Sequence, residues 1–199
     1  MVTLRLLDVP MVGLYPIEVF DANGLLSRWG HRLGVCNRPF RQEGYVLELQ
    51  GRPISVSMSA SIVSNTVAGY ARQEVVECAR LCSDPEYSWA TRIMLRLWRE
   101  VCAPAWACWP VKAAISYSHN GMHSGDLYRF DGWLKVSERA GSSGGGHYSC
   151  QRYATDAVHG SKTCWIWPSG EERAKWVRDQ EHGRYVRLGT IGGQKAMTP

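Results

Sequence analysis

Apolar and polar residues alternate most regularly in the segment "EGYVLELQGRPISVSMSASIV", residues 43–63. Every second residue is apolar on each side of the sequence "QGRP", which has the composition of a turn. The alternation predicts a β-hairpin in which each strand has one apolar face. The residues assigned to these faces are Tyr45, Leu47 and Leu49 in the first strand and Ile54, Val56 and Met58 in the second.

Apolar residues recur at every third or fourth position in "SDPEYSWATRIMLRLWREVCAP", residues 83–104. This spacing predicts an amphipathic helix that begins after Asp84-Pro85 or Ser88 and ends at Pro104. The predicted apolar stripe consists of Ala90, Ile93, Met94, Leu97 and Val101, whereas Arg92, Arg96 and Arg99 lie off it.

The other patterned segments predict helices and strands in alternation. We predict helices in "PIEVFDANGLLSRWGHRLGV" and "GDLYRFDG" and strands in "RQEVVECARLCS", "VKAAISYS" and "WLKVSERA". In the first of these strands, strict alternation places Glu77, Ala79 and Leu81 opposite Val76, Cys78, Arg80 and Cys82. This order favours an α/β fold, with one domain built on a mixed central sheet flanked by helices over residues 1–167. Residues 168–199 are predicted to form a basic C-terminal extension, a helix followed by a loose tail.

Cysteine content and hydropathy exclude several classes of protein. The chain has seven cysteines, an odd number, and no pair spaced as CxxC, so neither a disulfide framework nor a zinc ribbon is expected. A reducing cytoplasm fits best. The sequence has no run of about 18 apolar residues and no signal peptide pattern, so no membrane association is expected. The net charge of +5 permits nucleic acid or a polyanionic cofactor as a partner.

Several titratable residues are candidates for proton transfer. Glu77 lies within an apolar strand, where burial would favour a base, although a structural ion pair with Arg80 or Arg72 is the alternative. His31 and His123 titrate near neutral pH and could act as a base or hold a loop. Asp126 precedes the short helix and could cap it or bind an amine.

Two further groups of residues suggest binding sites. Ser88, Trp89, Ala90 and Thr91 begin the long predicted helix, whose N-terminus would suit a phosphate or could simply be capped. Basic and aromatic residues interleave in the second half of the chain, which fits DNA or, alternatively, a solvated surface over a tryptophan-rich core. Arg139, Arg152, Lys162 and Trp165 are the nucleic-acid-binding candidates. The histidines and cysteines match no metal-site spacing, so no metal is predicted.

Five segments in order resemble the GNAT acyltransferase superfamily: "VVECARLCS", "SWATRIMLRLWREV", "AAISYS", "LYRFDGW" and "LKVSE". Over residues 25–167 the chain is similar, more narrowly, to the Mom branch of DNA modification proteins. That similarity rests on Arg80-Leu81-Cys82, on "HSGDLY" from His123 to Tyr128, on Trp133, on Gly144 to Gly146, and on Lys162-Thr163 with Trp165. The chain departs from the branch at His119 and Met122, and "LCSDPEYSWAT" replaces the usual glycine-rich pyrophosphate loop.

The resemblance implies a transferase that uses acyl-CoA (acetyl-CoA) or a related activated donor. Tyr128 would protonate the departing thiolate, the alternative being a core tyrosine with its hydroxyl at the rim. Leu81 and Cys82 would join residues 88–91 in binding the cofactor. The substrate would be double-stranded phage DNA, modified with a small acyl or carbamoylmethyl-type group on a base amino group, adenine N6 in the first place, as protection from restriction. An N-acetyltransferase of a small amine or protein, and a non-catalytic DNA-binding relative, are the alternatives, and a homodimer stays open.

Overall fold

The computed structural model of the protein describes residues 11–140 and 162–181. The strands are β1 (Val12–Ile17), β2 (Gln42–Leu49), β3 (Arg52–Ala60), β4 (Thr66–Val67), β5 (Tyr70–Ala71), β6 (Val75–Ser83), β7 (Ala113–His119), β8 (Leu134–Ala140) and β9 (Lys162–Pro168). The helices are α1 (Val19–Arg28), α2 (Ala90–Leu97), α3 (Asp126–Phe130) and α4 (Gly170–Glu181). A 3-10 turn at Pro85–Tyr87 precedes α2, and a π-helical turn at Trp98–Cys102 continues it.

Seven strands form one sheet in the order β1-β2-β3-β6-β7-β9-β8. All neighbouring pairs are antiparallel except β6 and β7, which run parallel. The predicted α/β fold with a mixed sheet flanked by helices is therefore confirmed. No helix among residues 11–140 and 162–181 is long and apolar enough to cross a membrane.

The two parallel strands pair only over their first halves. Their last paired residues are Cys78 in β6 and Ser116 in β7. Beyond that point β6 pairs only with β3, and β7 pairs only with β9. The sheet therefore opens between residues 79–83 and 117–119, and one backbone edge of each strand faces the opening. We call this feature the β6/β7 opening.

A β-bulge in β6 changes which residues share a face. Met58 pairs with Arg80 and Ser59 pairs with Cys78, so Ala79 has no partner across the strand pair. The strict alternation predicted for this strand is wrong beyond Cys78, because the extra residue shifts the pleat by one. Leu81 consequently packs on the side of α2 with Cys78, whereas Ala79 packs on the side of α1.

The predicted hairpin is β2 and β3, and Tyr45, Leu47 and Leu49 share a face against α2, as expected. A second bulge interrupts β3, because Leu47 pairs with Ser55 and Glu48 pairs with Pro53. Val56 and Met58 consequently face α1, but Ile54 packs against α2, so the grouping of these three is corrected.

Helix limits differ from the predictions for local reasons. The first helix spans only Val19–Arg28, since residues 12–17 form β1 and Gly30 and Gly34 have positive φ angles.

In the long helical segment Ile93 and Val101 are exposed, contrary to the predicted stripe. Trp98, Leu95 and Cys102 fill the core instead. The π-helical turn inserts an extra residue per turn and rotates the end of the segment.

A buried ion-pair cluster joins α3 to the long helical segment. The Asp131 carboxylate is fully buried and contacts Arg96 at 3.1 Å and Arg99 at 2.7 Å. It also accepts a hydrogen bond from the indole of Trp133 at 3.1 Å. The Arg99 guanidinium lies 3.5 Å from the ring centroid of Trp167 in β9. The cluster thereby fixes the position of α3 on the sheet.

We expect the substitution Asp131→Asn to lower the free energy of unfolding by about 3–5 kcal/mol, because it removes the fully buried counter-charge of Arg99, whose other ion pair, with Glu100, is half exposed. Urea unfolding followed by circular dichroism measures this. Asp126→Asn is the matched control, because its ion pair with Arg129 is largely exposed and should contribute less than about 1 kcal/mol. Equal losses in the two variants would contradict the assignment.

Candidate active site

Tyr128 lies in α3, directly over the last paired residues before the β6/β7 opening. Its hydroxyl is 2.8 Å from Ser116 Oγ, and Ser116 in turn donates to the carbonyl of Cys78 at 3.3 Å. Because the Ser116 proton is used in that second bond, Tyr128 is the donor in the first. The Tyr128 hydroxyl, the Ser116 hydroxyl and the Cys78 carbonyl therefore form two consecutive hydrogen bonds at the last paired residues of β6 and β7.

The ring of Tyr128 is held by close packing. It stacks on Trp165 with centroids 5.4 Å apart and meets Trp133 edge-on at 5.6 Å. The turn before it requires Gly125, whose φ is +78° and where a Cβ would lie 2.4 Å from the Trp165 ring. Burial, and then Cys78, raise the pKa of Tyr128 well above its usual value, so the hydroxyl stays protonated at neutral pH.

Glu77 lies on the opposite face of the sheet, one residue before Cys78. It is 5% exposed and forms an ion pair with Arg38 from the segment between α1 and β2. Sequence analysis had proposed Arg80 or Arg72 as its alternative partner; the structure assigns Arg38. Proton transfer to Glu77 therefore competes with this ion pair.

His31 lies on the same face as Glu77. Burial, followed by Arg80 and more weakly by His123, lowers the pKa of His31 to about 4. The imidazole is consequently neutral at neutral pH and able to accept a proton. Its Nδ1 is buried without a hydrogen-bond partner among the described residues. Glu77 and His31 thus lie on the α1 side of the sheet, with His123 near enough to His31 to lower its pKa, whereas Tyr128 lies on the α2 side.

Asp126 interacts with its neighbours in the chain, Ser124 and Arg129. It is the first residue of α3, preceded by Gly125, and it bonds Ser124 Oγ at 2.5 Å and pairs with Arg129. Its side chain does not cap the helix, so of the two roles considered for it, capping is not observed. His123 is exposed, and its backbone N–H bonds the carbonyl of His119 at 3.0 Å in the turn that follows β7.

The cofactor-binding candidates line one edge of the opening. Leu81 and Cys82 belong to the part of β6 that has no β7 partner. Ser88 and Trp89 precede α2, which begins at Ala90 and Thr91. Ser83 links strand and helix, since its hydroxyl is 2.8 Å from Thr91 Oγ1.

Acidic residues stand where glycines are expected in a pyrophosphate loop. Asp84 accepts a hydrogen bond from the N–H of Glu86 at 3.0 Å and thereby caps the 3-10 turn. Arg52 neutralises both carboxylates, at 3.0 Å from Asp84 and 2.8 Å from Glu86. The strand edge therefore fits an extended thioester arm, but the adjacent turn is not a glycine-rich phosphate cradle.

Of the four nucleic-acid candidates from the sequence, the structure describes the positions of Arg139, Lys162 and Trp165, and it excludes Trp165 as an exposed stacking residue. Trp165 is buried in β9, and its indole donates to Ser118 Oγ at 2.8 Å, so the ring is not available to stack on a base. Lys162 begins the same strand and Arg139 lies in β8. Arg152 and most of the basic C-terminal extension lie outside the described residues.

The segment between α1 and β2 contributes residues that sequence analysis missed. Arg38 pairs with Glu77, and Cys36 is buried beneath it. Arg80 donates to the carbonyls of Gly34 at 3.2 Å and Val35 at 3.1 Å, which holds the segment over the sheet. A run of four arginines without acids is the signal available in the sequence, and the helix predicted over residues 16–35 includes only the first two of them.

No family model matches this sequence, and no curated protein matches it. Solved structures match it in fold. A probable acetyltransferase from Staphylococcus epidermidis has a TM-score of 0.52 and 8% identity, covering 80% of this chain and 100% of that one. The putative acetyltransferase yncA from Salmonella typhimurium, solved with its cofactor acetyl-CoA, has a TM-score of 0.51 and 11% identity, covering 80% and 95%.

A variant of the spermidine N-acetyltransferase SpeG from Vibrio cholerae has a TM-score of 0.51 and 9% identity, covering 79% of this chain and 93% of that one. At these identities the similarity establishes the fold. The chain therefore has the GNAT acetyltransferase fold, as its sequence predicts.

Because folded His31 has a pKa of about 4, the unfolded chain binds more protons than the folded one between pH 4 and 6.5. Stability should therefore fall as the pH falls through this range, by about 2 kcal/mol between pH 7 and pH 5. Urea unfolding at both pH values measures the loss. His31→Gln should remove most of it; an unchanged pH dependence in His31→Gln would contradict the assignment.

Proposed function

We propose that this protein transfers an acyl group from acyl-CoA to an amino group through the β6/β7 opening. The observation that carries the proposal is the placement of proton donor and proton acceptors on opposite sides of one gap in the sheet. The Tyr128 hydroxyl lies at the start of the opening on the α2 side, whereas Glu77 and His31 lie on the α1 side.

The donor is proposed to lie along the edge of β6. An extended amide chain, such as the pantetheine arm of CoA, can hydrogen-bond a strand edge that has lost its neighbour. Leu81 and Cys82 supply that edge here. The first N–H groups of a helix have no partner four residues before them, so Ser88, Trp89 and Ala90 would bind the phosphates, and Thr91, whose N–H bonds the carbonyl of Ser88 at 3.3 Å, would contribute its side chain.

In the proposed reaction, a proton is accepted on the α1 side of the sheet and another is donated on the α2 side. The acceptor nitrogen forms a bond to the thioester carbonyl carbon while its proton passes to His31 or, after Arg38 moves, to Glu77. The carbon–sulfur bond then breaks, and the departing thiolate takes the proton of Tyr128. At neutral pH the phenol carries the proton that the thiolate needs, and the neutral imidazole has a nitrogen that can accept one.

The proposed acceptor is a base amino group in phage DNA, with adenine N6 first, as the resemblance to Mom-like proteins implies. The base would have to leave the duplex to reach the site. An N-acetyltransferase of a small amine is the second candidate, favoured by the similarity in fold to an enzyme whose name specifies spermidine. Added mass on nucleosides from bacterial DNA after expression distinguishes the two.

We expect Tyr128→Phe to lower the yield of modified nucleoside about 100-fold or more, because a general acid contributes on that order. Mass spectrometry of digested DNA provides the measurement. Ser116→Ala is the matched control, since it removes the same hydrogen bond but keeps the phenol, and it should cost less than about tenfold. Equal effects of the two substitutions would reduce Tyr128 to a structural role.

Donor binding is tested separately. Calorimetry with acetyl-CoA and the intact protein should give saturable binding, and a protein that binds no acyl-CoA contradicts the donor assignment. Binding of acetyl-CoA together with unmodified DNA from expressing cells would overturn the DNA acceptor and leave the small-amine candidate.

A further inference from the structure

The segment from Arg28 to Arg41, "RWGHRLGVCNRPFR", carries most of the excess charge of the chain. We call it the arginine loop. It contains four arginines and His31, and no acidic residue occurs between Asp21 and Glu43. Its formal charge of +4 compares with +5 for the whole chain, so the charge imbalance is local.

The arginine loop has a fixed conformation. Asn23 binds the backbone of Cys36 through both ends of its amide, donating to the carbonyl at 3.2 Å and accepting from the N–H at 2.7 Å. Arg80 binds loop carbonyls from β6, and Arg38 reaches Glu77. The loop is therefore held on the α1 side of the β6/β7 opening, next to the proposed acceptor site.

Two arginines of the loop face solvent without a counter-charge. Arg28 and Arg32 are exposed, and the described residues include no ion pair for either. Arg52 and Arg129, exposed elsewhere, both pair with carboxylates. Exposed arginines that form no ion pair within the described residues are available to bind an anion.

Exposed apolar side chains accompany these charges. Phe40 is 45% exposed and Val35 is 48% exposed. The Arg72 guanidinium lies 4.4 Å from the Phe40 ring centroid, which places a further cation at the end of the loop. Cations for phosphates and an exposed ring for bases are the combination by which proteins bind nucleic acids.

We propose that the arginine loop is the nucleic-acid-binding surface of this protein, with Arg28 and Arg32 contacting backbone phosphates. The inference that the bound strand also supplies the reacting amine rests on the proposed function. The inference that the loop binds nucleic acid does not depend on it. The carboxylates near the loop are Glu77, which pairs with Arg38, Glu43, which pairs with Arg41, and Asp21 and Glu48, which line one cavity with Arg28. A polycationic acceptor such as spermidine would meet repulsion on this surface.

Fluorescence anisotropy with a labelled 20-base-pair duplex, without acyl donor, tests the proposal. The double variant Arg28→Gln/Arg32→Gln should bind at least about tenfold more weakly at low salt. The slope of log K against log salt should become shallower by about 1.8, since each phosphate contact contributes about 0.9. Because no donor is present, failure of acyl transfer and failure of binding are separate outcomes.

Arg129→Gln/Lys175→Gln is the control, because it removes the same charge from exposed positions outside the loop. The control should keep the native affinity and the native salt slope. A native protein that does not bind the duplex, a loop variant that binds like the native protein, or a control that loses as much would each overturn the proposal. Saturable spermidine binding by calorimetry would also count against it.

Discussion

The separation of β6 from β7 after Cys78 and Ser116 is the constraint on which the rest of the structure depends. Two parallel strands share backbone hydrogen bonds up to these residues, and each then follows its antiparallel neighbour, β3 or β9. A gap inside a sheet exposes backbone groups that must be satisfied. The surrounding helices and the arginine loop are arranged around this gap, and the titratable groups of the candidate site lie on its two sides.

Keeping the gap in place requires rigid elements next to it. On the α2 side, buried Asp131 joins α3 to the π-helical turn through Arg99, so Tyr128 is held where its hydroxyl meets Ser116. On the α1 side, the bulge at Ala79 turns Arg80 toward the arginine loop. One extra residue in β6 thus supplies the side chain that fixes the loop over the site.

Sequence patterns predicted the order of the main helices and strands from α1 to β8 because alternation and helical spacing are local properties. They could not predict the bulge at Ala79, since the apolar pattern of "VVECARLCS" continues through it. Strand β9 was also missed: its aromatic and basic residues suggested a binding surface, although Trp165 is buried beneath Tyr128. Burial of an aromatic side chain depends on distant neighbours, which one sequence does not specify. The position of Tyr128 after Gly125 was accessible because the turn and helix are contiguous.

Two kinds of basic side chain, arginine and histidine, lie on the α1 side of the sheet, and their charges respond differently to pH. Arginine side chains remain charged at every physiological pH. His31, by contrast, is kept neutral by burial and by Arg80, with its pKa lowered to about 4. Attraction of an anion by Arg28 and Arg32 is therefore independent of pH near neutrality, while the imidazole stays able to accept a proton. The same arginine that holds the loop thus adds to burial in keeping the histidine uncharged, so the proposed anion binding and the proposed proton transfer depend on different side chains of one small surface.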